Sequence, residues 1–115
     1  MSVKLYGYLV EINSNKMKLM FCPDYNGTAI DFTKSFLLNK EKTINGTSPV
    51  SDNYFYVKCN NVLVGQFETE FKPIEDFIQH TVECTVKIKT YNFKDKTKQL
   101  IGWNINLLNI KLYSM

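Results

Sequence analysis

Residues Thr81–Tyr113 read TVECTVKIKTYNFKDKTKQLIGWNINLLNIKLY, and their alternation decides the fold. Val82, Cys84, Val86 and Ile88 share one parity, while Glu83, Thr85, Lys87, Lys89, Tyr91 and Phe93 share the other. A period of two with one apolar set marks a strand buried on a single face. Lys94-Asp95-Lys96-Thr97-Lys98 is a polar, basic turn. The return strand, Gln99 to Tyr113, begins with Ile101, Trp103, Ile105 and Leu107 on one parity and changes to Leu108, Ile110 and Leu112. An extra residue near Leu107-Leu108 reconciles the two sets, so a bulged two-stranded ribbon is expected.

Working outward, Val3 to Ile12 has two usable faces: Lys4, Tyr6, Tyr8, Val10 and Ile12 against Val3, Leu5, Gly7 and Leu9. Gly7 inside a strand predicts a bend or bulge. Asn13-Ser14-Asn15-Lys16 is a turn, and Met17, Leu19 and Phe21 oppose Lys16, Lys18 and Met20 on the returning strand. Thr28 to Phe32 is read as a short strand opening a long loop at about 34–52. Tyr54 to Cys59 and Val62 to Phe67 read as a hairpin around Asn60-Asn61, with Tyr54, Tyr56 and Lys58 opposite Phe55, Val57 and Cys59. Lys72 to His80 reads as a short helix, with Pro73 in its first turn and Ile74, Phe77 and Ile78 as its apolar stripe. The expected fold is all-β: one domain over residues 1–115, a small OB-fold-like five-stranded barrel with a short helix before the last two strands.

A chain of 115 residues with 44% apolar side chains buries a core without metal or disulfides. Three widely spaced cysteines, Cys22, Cys59 and Cys84, form no zinc-ligand spacing and no even disulfide set. Free thiols in a reducing compartment are therefore expected, with a cytoplasmic or nucleoid location inside a cell and no secretion. No signal peptide or membrane-spanning run is read, so no membrane partner is expected.

Charge is uneven. Residues 81–115 hold six lysines against two acids, whereas residues 36–80 hold four lysines against six acids. All fourteen basic residues are lysine. A guanidinium fork on guanine or phosphate is thus excluded, and any polyanion is met by flexible point charges. Three strand faces interleave such lysines with rings: Lys4/Tyr6/Tyr8, Tyr54/Tyr56/Lys58 and Lys87/Lys89/Tyr91/Phe93. Stacking rings bordered by cations suit single-stranded nucleic acid, DNA or RNA, read with little sequence preference. Lys16 and Lys18, with Lys94, Lys96 and Lys98, fence the strip at two loops, and Trp103 is a further candidate ring.

Tyr91-Asn92-Phe93-Lys94-Asp95-Lys96, followed by Gly102-Trp103-Asn104, resembles the last hairpin of small single-stranded DNA-binding proteins of the OB-fold class, including divergent viral and phage members. The resemblance is one of layout over most of the chain. It implies DNA contacts at strand-face rings and at two inter-strand loops, which fall here on Tyr6, Tyr8, Lys16, Lys18, Tyr91, Phe93, Lys94, Lys96, Lys98 and Trp103. It also implies a role in replication, recombination or repair with a replication protein as partner, while a homodimer through an edge strand belongs to the protein-interaction alternative below. The absence of arginine and of an acidic tail departs from that pattern.

Enzyme function is not expected. His80 is the only histidine, the five glycines are scattered, and no acidic pair has an orienting base, so neither cofactor nor metal is called for. The alternative is a protein-interaction module, an accessory subunit or an inhibitor of a host factor, using the same aromatic β-surface.

Overall fold

The computed structural model describes residues 2–21, 28–43, 50–51, 53–59, 74–94 and 99–113. The expected strand Val62–Phe67, the Asn60-Asn61 turn, Cys22, Lys96 and Lys98 lie outside the described residues. Within them the order is β1 (Ser2–Asn13), β2 (Lys16–Met20), α1 (Thr28–Thr43), β3 (Tyr54–Lys58), a 3-10 turn (Ile74–Phe77), β4 (Thr81–Lys94) and β5 (Gln99–Leu112).

The strands form one five-stranded sheet of mixed topology. β1 pairs antiparallel with β2 on one edge and β4 on the other, β2 with β3, and β4 with β5. β3 and β5 run parallel and meet at a single register pair, Lys58 with Asn106. The strand order β1-β2-β3-β5-β4 thereby returns on itself, but through one residue pair at the β3–β5 seam.

The expected OB-fold-like barrel is therefore corrected. The strands close in the order β1-β2-β3-β5-β4, but the β3–β5 seam is one parallel pair, the α-helix precedes β3, and only a 3-10 turn precedes the last two strands. Thr28–Phe32, expected as a strand, begins the sixteen-residue helix α1, which also takes up the start of the expected loop. The short helix expected over 72–80 is a 3-10 turn of four residues.

Side-chain parity builds the core. Leu5, Leu9, Met17, Leu19, Phe55, Val57, Val82, Cys84, Val86, Ile105 and Leu107 are buried, with Leu37 of α1 and Ile74 of the 3-10 turn closing over them. Burying such a side chain contributes about 1.5–3 kcal/mol, which is why alternation fixes each strand's inner face. Gly7 is needed for space. A Cβ there would lie 2.9 Å from the Phe55 ring and 3.1 Å from Leu19 Cβ. The bend expected at Gly7 falls instead at Val10, where the β1–β2 register steps between Leu9 and Glu11. That step reverses parity, so Ile12 packs against the core opposite buried Met17. Gln79 and His80 serve the same place: Gln79 N–H donates to the Leu9 carbonyl at 2.9 Å, and Leu9 N–H donates to the His80 carbonyl at 3.0 Å.

The β4–β5 ribbon carries the bulge that the sequence requires. Thr85 faces Asn109 and Val86 faces Leu107, leaving Leu108 out of the pairing and 45% exposed. Of the second apolar set only Ile110 is buried; Leu112 is 52% exposed.

α1 covers an edge. β1 reaches β2 only from Tyr8 onward, so the Tyr6 N–H needs another acceptor, since an unpaired backbone donor is costly to bury. Thr33 Oγ1, on a fully buried side chain of α1, accepts it at 2.9 Å. Phe32 and Phe36, one helical turn apart, stack at 5.6 Å on the same helix.

Candidate functional site

The outward set of β2 and β3 is Lys16, Lys18, Met20, Tyr54, Tyr56 and Lys58, opposite the buried Met17, Leu19, Phe55 and Val57. Register pairs Lys18 with Tyr56 and Met20 with Tyr54. Each lysine nevertheless leans diagonally onto the ring beyond its partner or beside it. Lys16 Nζ stands 4.8 Å from the Tyr56 centroid, and Lys18 Nζ stands 4.2 Å from the Tyr54 centroid. Diagonal reach of this kind is normal for long side chains on an antiparallel pair. Such cation–π contacts are worth about 0.5–1 kcal/mol at exposed sites.

Below this strip the β1–β2 turn makes an open hollow of ≈ 470 Å³, lined by Asn13, Ser14, Asn15, Lys16 and Lys58. Ser14 takes a left-handed φ of 56°, which closes the turn tightly. The Asn15 carbonyl accepts the Cys59 N–H at 2.6 Å, tying the turn to the end of β3. The hollow thus has two lysines in its lining.

The remaining candidates fall elsewhere. Tyr8 is half-buried, facing Met20 on β2 and Thr81 on β4. Tyr6 is half-buried with its ring edge-on to Tyr113 at 4.9 Å. Burial raises its hydroxyl above the usual tyrosine value, assisted by a hydrogen bond to Glu83 and by the Glu83 and Tyr113 charges. Glu83 also takes Lys4 at 3.8 Å and Lys111 at 3.4 Å, so those two ammonium groups share one carboxylate within the fold. Lys87 and Lys89 are exposed on β4. Tyr91 is 43% exposed, but its ring lies across Gly102, its register partner on β5, where a Cβ would collide with the Tyr91 Cζ. Phe93, Lys94 and Trp103 lie in strands, facing Leu100, Gln99 and Thr90.

The expected continuous aromatic strip is corrected accordingly. The rings of Tyr6 and Tyr91 are committed to Tyr113, Glu83 and Gly102, and the last hairpin is not an open stacking platform at Tyr91. The ring-and-lysine grouping that the structure assembles is the one on β2 and β3. Sequence reasoning did not single out Asn13, Ser14, Asn15 or Asn106 as site residues. The turn composition marked the first three, but only the β3–β5 register brings Asn106 beside Lys58.

Among the described residues no group of three or more His, Cys, Asp and Glu is placed to hold a metal ion, and no helix is long and apolar enough to cross a membrane. Cys59 and Cys84 are buried free thiols, and burial pushes the Cys84 thiol up.

No family model, no curated protein and no solved structure matches this chain. The resemblance to OB-class single-stranded DNA-binding proteins, viral ones included, is therefore withdrawn. It lacks a matching family, and the mixed sheet with α1 between β2 and β3 departs from its expected layout.

Proposed function

We propose that the outward face of β2 and β3 binds single-stranded nucleic acid with little sequence preference. The observation that supports it is the interleaving of Lys16 over Tyr56 and Lys18 over Tyr54, with Lys58 beside them on the same face. In the free domain each ammonium covers a ring. An arriving strand offers both groups a better partner: phosphate takes the ammonium and a base takes the ring.

Magnitudes favour the exchange. Releasing a lysine from its ring costs about 0.5–1 kcal/mol, whereas stacking a base contributes about 1–3 kcal/mol. The released ammonium then adds a salt-sensitive phosphate contact. With lysine the sole cation, base edges are not read bidentately, so selectivity rests on access to the base faces. A duplex hides those faces within its stack.

The test is fluorescence anisotropy with labelled oligo-dT and a duplex of equal length, each at two salt concentrations. Tighter binding of the single strand, weakening steeply with salt, is expected. Equal or preferential binding of the duplex overturns the reading. Salt-insensitive binding overturns the lysine exchange.

A further inference from the structure

The register aligns residues that lie far apart in the chain. Lys16 on β2 faces Lys58 on β3, Lys58 faces Asn106 on β5, and Asn106 faces Lys87 on β4. Lys16, Lys58 and Lys87 are all exposed, on the parity opposite the buried Met17, Val57 and Val86. Neighbouring strands lie about 4.8 Å apart, so this row crosses the sheet over about 14 Å from Lys16 to Lys87. Asn106 fills the one position between lysines, its Nδ2 donating to the Lys87 carbonyl at 3.5 Å.

Two observations set this row apart from an ordinary solvated lysine face. The first is that no described carboxylate pairs with it. Among the described residues the ion pairs are those of Lys4 and Lys111 with Glu83, and none reaches Lys16, Lys58 or Lys87. The second is repulsion. Lys16 and Lys58 are direct cross-strand partners, an arrangement of like charges that destabilises a ladder. The pair stands at the rim of the open hollow formed by Asn13, Ser14 and Asn15. A polyanion laid along the row relieves the repulsion.

We propose that Lys16, Lys58 and Lys87 form a phosphate track, which carries the nucleic-acid backbone across the β-strands over the β3–β5 seam. The inference rests on the single-strand reading and adds the path: the backbone starts at the hollow, passes Lys58 and Asn106, and leaves over β4. Tyr54 and Tyr56 lie along β3 from Lys58, to one side of the track, where bases from that backbone reach them.

The experiment compares two doubly substituted proteins that lose the same formal charge. One is Lys58→Gln with Lys87→Gln; the other is Lys4→Gln with Lys111→Gln. Oligo-dT affinity is measured over a range of salt. Each single-strand phosphate contact contributes roughly 0.7 to the slope of log K against log salt. The first protein is expected to lose about 1.4 from that slope and the second close to zero. Equal losses, or no loss in the first, overturn the track and leave single-strand binding standing.

Inorganic polyphosphate, which has no bases, separates the two readings further. Polyphosphate binding that is lost in Lys58→Gln/Lys87→Gln but kept in Lys4→Gln/Lys111→Gln supports the track, even where oligo-dT does not bind. Lys58→Glu gives an independent check. By placing an opposite charge across from Lys16 it raises Tm by about 1–4 °C while weakening polyanion binding. An unchanged polyphosphate affinity in Lys58→Glu overturns the proposal.

Discussion

Two glycines in this sheet each lie against an aromatic ring from another strand, and their surroundings are opposite. At Gly7 the ring is Phe55, fully buried and enclosed by Leu19 and its neighbours. At Gly102 the ring is Tyr91, 43% exposed at the free end of the β4–β5 ribbon. The first contact is part of the core, where a ring has nowhere to go. The second covers the Gly102 backbone with a ring that is partly exposed to water. The contrast extends to the outer faces: β3 presents half-buried tyrosines with lysine ammonium groups over their rings, whereas the hairpin tyrosine is laid on its own sheet.

The largest effect is expected at the buried end. Phe55→Ala should lose about 3–5 kcal/mol of stability, because it leaves a cavity under Gly7 that packed neighbours refill only partly. Denaturant titration reads it directly, with Tyr91→Ala as the surface counterpart; comparable losses at the two sites would erase the distinction.

Next come the outward rings. Tyr54→Ala and Tyr56→Ala should each weaken oligo-dT binding by about 1–3 kcal/mol, roughly 5- to 150-fold, with melting close to the parent. Tyr91→Ala should leave affinity within about twofold, since its ring belongs to Gly102. If Tyr91→Ala is the more damaging of the three, the binding face is on the ribbon and not on β3.

A smaller effect compares the glycines themselves. Gly7→Ala should cost about 1–3 kcal/mol through overpacking against Phe55 and Leu19. Gly102→Ala needs only the end of the Tyr91 side chain to move, so its melting shift should be much the smaller of the two. Equal shifts would mean that Tyr91 is held as firmly as Phe55.

The smallest effect is a pH dependence at the Tyr6–Glu83 cluster. The Tyr6 hydroxyl is raised above 10.0 in the folded protein, by burial first and then by Glu83 and Tyr113. The folded state therefore holds this proton more tightly than the unfolded chain does. Its contribution is fully present below pH 10 and is lost as pH rises through the folded value. Stability measured from pH 9 upward should fall, and Tyr6→Phe should flatten that fall; an unaltered slope would place the titration elsewhere.

Much of the sheet was legible because strand parity is a local property. Met17/Leu19, Phe55/Val57 and Val82/Cys84/Val86 could be assigned inward from alternation alone, whereas β1 offered two usable faces until packing buried Leu5 and Leu9. The parity change in β5 likewise demanded the bulge that leaves Leu108 unpaired. Helix α1 was not legible. Among its described residues the inner side uses Thr33 and Leu37 with Phe36 and Leu38 packed beside them, so a polar side chain interrupts the apolar stripe. Thr33 is buried for the sake of the Tyr6 N–H, a requirement that exists only once β1 has an edge to cover.

The site divides along the same line. Which lysines and tyrosines face outward on β2 and β3 was set by the sequence, through side chains that alternate every residue. That Tyr6 and Tyr91 are committed elsewhere was decided by tertiary contacts with Tyr113, Glu83 and Gly102. The row of Lys16, Lys58, Asn106 and Lys87 was decided by tertiary structure alone. Parity tells each strand which side faces water, but register between strands distant in sequence is fixed only when their buried faces pack together.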